Sequence, residues 1–253
     1  MRKISVIALL CLVLTACAPA EPVETTLPTE TVPPTETAEP TTIYTTAPTE
    51  EKLHIPGISA EDVILWFNEV CLDAEIIHSG DASLLQKWAE PIRYQIIGDP
   101  TPEDLAVLEG FAQWLNTMEG FPGISETTEW GNLRIHFVTE AEMLNVMGPD
   151  FSGMDGAVTF WYAENEIYDA TICIRTDLPQ SLRNSVILEE LYNGLGPIQD
   201  TALRPDSIIY AEYAEPQRLT EVDELVLRLL YHPDMVPGMD VAQCEAIIRE
   251  IYE

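Results

Sequence analysis

The chain has 253 residues, room for one good-sized domain or two small ones. With 43 Asp and Glu against 12 Lys and Arg, a formal charge of −31, it repels phosphate backbones and anionic headgroups. That excludes nucleic-acid binding and membrane binding through a basic face. At 46% hydrophobic it can bury a core, and beyond the N-terminus no apolar run approaches the roughly 18 residues of a spanning helix.

Met1-Arg2-Lys3 supplies positive charge, and Ile4 to Leu14 is a short apolar run ending in Leu14-Thr15-Ala16-Cys17. A basic start, a short apolar middle and small residues at the cut describe a secretory signal peptide. The cysteine directly after the small pair makes the segment resemble a bacterial lipoprotein signal. That resemblance implies removal of residues 1–16, lipidation of Cys17, and a place outside the cytoplasm, anchored to the cell membrane. Two acyl chains on one cysteine reach the regime of stable anchoring. Changing Cys17→Ser is therefore expected to release the protein from the membrane fraction. A variant that stays bound, with a parent carrying no lipid by mass spectrometry, would contradict the assignment. With Cys11 removed and Cys17 acylated, Cys71, Cys173 and Cys244 remain, enough for one intramolecular bridge at most. No CxxC exists, so neither a zinc ribbon nor a thioredoxin-like redox pair is available.

Residues 18–52 hold 11 Thr, 7 Pro and 7 Glu, with no Gly, Phe or Trp. Such a stretch cannot offset its ordering entropy by burial, which predicts a disordered tether. At about 3.1 Å per residue it extends on the order of 100 Å. Residues 53–253 carry 36 acids and 9 bases and read as a single domain. Ser59 and Asp62 open an amphipathic helix predicted to run to about His78, with Val63, Trp66, Phe67, Val70 and Cys71 at helical spacing. A short helix is expected around Leu84–Trp88. Ile92–Ile97 alternates as a strand and stops at Gly98-Asp99-Pro100. Thr101 then caps a helix with Pro102 at its first position and Leu105, Leu108, Phe111 and Leu115 as its buried stripe.

Leu133–Val138 reads as a second strand. Ala157–Trp161 and Ile167–Ile174 read as a strand pair joined across residues 163–166. A helix from about Ser181 to Leu195 is stopped by Gly196-Pro197, and helices at Leu219–Tyr231 and Val241–Tyr252 complete the chain. Strands interleaved with helices, then a helical last third, predict a three-layer or α+β sheet domain.

The run Glu189-Glu190-Leu191-Tyr192-Asn193-Gly194-Leu195-Gly196 with Gln199 resembles the HExxHxxGxxH helix of metzincin zinc proteases. Glu189, Asn193 and Gln199 stand at the three histidine positions, Glu190 at the general base, and Gly196 at the turn. Asp206-Ser207-Ile208-Ile209-Tyr210 resembles that family's methionine turn, with Ile209 in place of methionine. Leu85-Gln86-Lys87-Trp88, the same glutamate helix, Asp200, and Leu229–His232 followed by Pro237-Gly238-Met239 resemble a bacterial family of unknown function numbered 2927, over about residues 80–250. The resemblances imply a metzincin-like α+β fold, a twisted mixed sheet packed with helices, with a degenerate zinc motif.

A catalytic zinc takes His, Cys or carboxylate ligands with one position left open. One carboxylate and two amides suit a harder cation at best, and the four histidines are scattered. Without a metal to acidify water, Glu190 alone is a modest base. The expectation is therefore no zinc and no other cofactor, and a non-catalytic domain that binds or scaffolds at the cell surface, with a peptide or a cell-wall component as partner. The alternatives are a hydrolase working through Glu189 and Glu190 without zinc, and a lipoprotein binding a glycan or solute through its tryptophans. The helix is expected to keep a core stripe of Val186, Ile187, Leu191 and Leu195, and Asp223 is expected to cap or pair on the closing helix.

Overall fold

The computed structural model describes residues 53–72 and 84–252. The signal segment, Cys17, the tether and His78 lie outside the described residues.

Helix α1, Ala60–Phe67, starts where Ser59 Oγ accepts from the Asp62 amide while the Asp62 carboxylate accepts from the Ser59 amide. It runs into a π-helical turn, Asn68–Leu72, and buries Val63, Phe67, Val70 and Cys71, with Trp66 half-buried. The same reciprocal cap opens α2 (Pro102–Leu115) at Thr101 and Asp104, α3 (Glu140–Met147) at Thr139 and Glu142, and α5 (Glu221–Leu230) at Thr220 and Asp223. Each satisfies two backbone donors that a helix start otherwise leaves orphaned.

Strands β2 (Ile92–Gly98), β3 (Ile124–Glu126), β4 (Leu133–Val138), β5 (Gly156–Ala163) and β6 (Glu166–Arg175) form one mixed sheet in the order β5-β6-β4-β2-β3. The short β1, Lys87–Trp88, lies parallel to the start of β6. The other neighbouring pairs are parallel except the β5–β6 hairpin, which turns on Glu164 and Asn165 with φ of 53° and 67°. Two consecutive left-handed residues match the twist of the strands they join. This is the α+β architecture, with a helical last third, that the sequence predicts.

Period-two alternation divides the sheet faces. Leu133, Ile135 and Phe137 of β4 with Ala170, Ile172 and Ile174 of β6 face the main core, where α2 and α4 (Gln180–Asn193) pack. On the opposite face, α3 covers Cys173, Ala157 and Val138 with Met143 and Phe151 as a small second core. Helices α1 and α6 (Val241–Tyr252) pack together at the other side of the main core. Cys71, Cys173 and Cys244 are all buried free thiols, so no bridge forms among them. Burial pushes Cys173 up to about 12 and Cys244 up to about 11, out of the reactive range.

Two expectations are corrected. Leu84–Trp88 is not a helix: Leu85 exchanges backbone hydrogen bonds with Met239 and Gly238, and residues 87–88 pair with β6. Long-range pairing wins over local propensity there, and the Lys87 ammonium fixes it by donating to the Leu230 carbonyl at 2.9 Å and to the Met235 carbonyl. Burial draws Lys87 down to about 8. The second correction is Leu105, which is 38% exposed. Asp104 is pulled fully inside by the Arg183 guanidinium at 2.8 Å, so the buried stripe of α2 runs through Asp104, Leu108, Phe111 and Leu115. Leu105 sits one residue, roughly 100°, off that stripe. Desolvation raises Asp104, but hydrogen bonds from Thr101, Arg183 and Gln180 outweigh it and hold the carboxyl below its usual range.

Candidate functional site

Helix α4 carries the glutamate pair. Its stripe of Val186, Ile187, Leu191 and Leu195 is buried as expected, each no more than 4% exposed. The helix end is closed by buried aromatics: Trp88 Nε1 donates to the Gly194 carbonyl at 2.9 Å, and Tyr231 Oη to the Leu195 carbonyl at 2.7 Å. These serve carbonyls that a helix terminus leaves unpaired. Gly196, with φ of 128°, turns the chain so tightly that a Cβ there would stand 2.6 Å from the Gln86 carbonyl. The stop predicted at Gly196 is therefore enforced by contact as well as by conformation.

Glu190 is buried and directed at the sheet edge. A Cβ on Gly156, the first residue of β5, would fall 2.8 Å from both Glu190 Cγ and Oε1. Glycine at that position is what admits the carboxylate. Its charge joins desolvation in raising Cys173. Glu189, one residue away, is half-buried on the next face of the helix. Asn193 is also half-buried; its Nδ2 donates to Asp200 Oδ1 at 3.4 Å, and its buried Oδ1 has no hydrogen-bond partner among the described residues. Gln199 is held through its backbone, whose amide donates to the Val70 carbonyl at 3.3 Å. Among the described residues no three His, Cys, Asp or Glu side chains converge on a point that would hold a metal ion. His54 packs at a tilt against Tyr252, His136 lies on β4 and His232 beside Asp234, each serving a different part of the fold.

The segment after Gly196 is ordered by carboxylates that sequence reasoning left unassigned or half-assigned. Glu69 of the π-helical turn accepts from the Ala202 amide at 2.8 Å and from Thr201 Oγ1. Thr201 in turn bridges Tyr210. Asp223 anchors the turn at residues 204–208: its Oδ1 accepts from Arg204 Nη1 at 2.9 Å and Ser207 Oγ at 2.7 Å. Its Oδ2 accepts from the Ile208 amide at 3.2 Å while also capping α5. Ile209, next in the turn, is 1% exposed. Further on, Tyr213 donates to Glu215, and that bond, some desolvation and the charges of Glu215 and Asp155 raise its phenol. Among the described residues β5 pairs with β6 alone and leaves its other edge free. Gly156 within a strand pattern was the sequence signal for a close approach at this place.

A solved structure, a crystal structure of myroilysin, is similar at 14% identity with a TM-score of 0.29. The alignment covers 55% of this chain and 62% of that one, so the chain spans less than two thirds of myroilysin's length. No curated protein matches. The family of the description "Protein of unknown function (DUF2927)" matches residues 60–250, the greater part of the chain. The glutamate helix, the Asp223-anchored turn and every strand of the sheet fall inside that span, and the protein belongs to the DUF2927 family.

Proposed function

We infer that this is a lipid-anchored surface protein whose metalloprotease-like domain holds an extended peptide without cutting it. The observation that carries the reading is the state of α4. Its three ligand-like positions are one carboxylate and two amides, and the Asn193 amide is directed to Asp200. Glu190, at the position of a general base, is packed against Gly156 and is 8% exposed. A base must reach the proton that it removes, and a zinc site needs three good donors around an open position. What the helix retains is its packing, and beside it the free edge of β5. An exposed strand edge binds an extended peptide through main-chain hydrogen bonds, with alternate side chains supplying selectivity. Cys17 and the 18–52 tether would hold such a domain clear of the membrane.

The test is selection of unstructured peptides by the purified protein, with zinc content and peptide termini read by mass spectrometry. The expected result is enrichment of the same peptides by the parent and by Glu190→Gln, with no new termini and far less than one zinc per chain after dialysis. Cleavage by the parent that Glu190→Gln abolishes, or one zinc per chain retained through dialysis, would overturn the reading in favour of a hydrolase.

A further inference from the structure

Helix α3 covers only the end of the second sheet face where Cys173, Ala157 and Val138 lie. Towards the other end, the strand register places Trp161 of β5 opposite Asp169 of β6, and Thr159 opposite Thr171. Arg134 of β4 is in register with Thr171 on the same face. Its guanidinium makes a two-pronged pair with Asp169, Nη1 to Oδ2 at 2.7 Å and Nη2 to Oδ1, and Nη2 also donates to Thr171 Oγ1 at 2.9 Å. Over this fixed cation lies the ring of Trp130, its centroid 5.1 Å from Arg134 Cζ. Trp130 is 71% exposed. Tyr168, left out of the β5 register by an irregularity at Trp161 and Tyr162, is exposed beside Asp169.

An exposed tryptophan normally gives up much rotamer freedom on binding a ligand. Here the ring rests on a guanidinium that is itself locked by a carboxylate and a hydroxyl, so that loss is met before any ligand arrives. The charges beneath the ring cancel, one Arg against one Asp. The rest of the domain is strongly acidic, which repels an anionic ligand. We propose that Trp130, Trp161 and the Arg134–Asp169 pair form a platform for an uncharged, β-linked glycan chain, separate from the free edge of β5. Flat pyranose rings present apolar C–H faces that stack on indole, while their equatorial hydroxyls point sideways to Asp169 and Thr159. A peptide would instead seek the free backbone edge of β5, and this face offers none.

The test titrates the full chain with cellohexaose and with chitohexaose, read by tryptophan fluorescence and calorimetry. Anionic polygalacturonate and zwitterionic phosphatidylcholine vesicles serve as the other arms. The expected result is saturable binding of at least one neutral hexasaccharide and none of polygalacturonate. Trp130→Ala should weaken that binding at least tenfold with an unchanged melting temperature, since the ring is mostly outside the fold. Trp161→Phe should weaken it less. No signal with either neutral sugar, Trp130→Ala binding like the parent, or a Trp130-dependent response to the vesicles alone would each overturn the platform. None of these outcomes bears on peptide capture at β5.

Discussion

Replacing Asp223 with alanine is expected to destabilise the domain by about 3–5 kcal/mol, the usual consequence of removing one member of a buried ion pair. Asp223 is 1% exposed and Arg204 6% exposed. The substitution leaves the guanidinium with Thr220 Oγ1, the exposed Asp206 and the face of Trp66 in place of its buried carboxylate. It also leaves Ser207 Oγ and the Ile208 amide without their acceptor and removes half of the α5 cap. Urea unfolding compares parent and variant directly. Ser207→Ala, which removes the donor to Asp223 and the acceptor of the Ile209 amide but leaves the ion pair intact, is expected to lose less, about 1–2 kcal/mol. A loss below that for Asp223→Ala would show that the turn at 204–208 stands without its anchor.

Leu191→Ala is expected to lose about 2–5 kcal/mol, towards the upper part of the range if the site fails to collapse. Leu191 is 4% exposed and already borders a small apolar void together with Tyr94, Leu108, Phe111 and Ile135. Truncating it joins the deleted volume to that void, and the sheet side of the void is pinned by strand pairing. The unfolding midpoint should fall with the denaturant dependence unchanged. Retention of the parent's stability would mean that α4 does not carry the core of the domain.

Much of this fold was legible because its signals are local. Ser59, Thr101 and Asp62 mark helix starts by side-chain chemistry that acts within four residues. Gly98, Gly196 and the turn at 164–165 mark stops and reversals by backbone conformation. The stripe on α4 followed from spacing alone. What was missed depends on residues far apart in sequence. Residues 84–88 look helical by composition, yet their partners stand at 165, 230, 235 and 239. Leu105 looks like a core residue until Arg183, 79 positions away from Asp104, rotates the helix. Helix α3 and the three-residue β3 are short, weakly patterned segments whose signals fall below what one sequence carries. For the site, the residues at the ligand-like positions were legible by motif. The approach of Glu190 to Gly156 was not, because it requires knowing that the glutamate helix crosses the head of an edge strand. Of the five tryptophans, burial separates Trp88 and Trp114 from the exposed Trp130, a distinction that spacing alone did not make.

Two of the helix caps are shared with distant cations. Asp104 closes the start of α2 and binds Arg183 of α4, and Asp223 closes the start of α5 and binds Arg204. A cap usually fails by fraying, one terminal turn opening while the rest of the protein is undisturbed. At these two starts the first turn cannot unwind without moving the carboxylate that neutralises a buried guanidinium. Opening of the helix end and loss of the long-range contact thus become one event, and the amides at Asp104 and Asp223 should exchange with solvent on the schedule of the whole domain. The amides at Asp62 and Glu142, whose caps have no such tie to the interior, are left to exchange by local breathing.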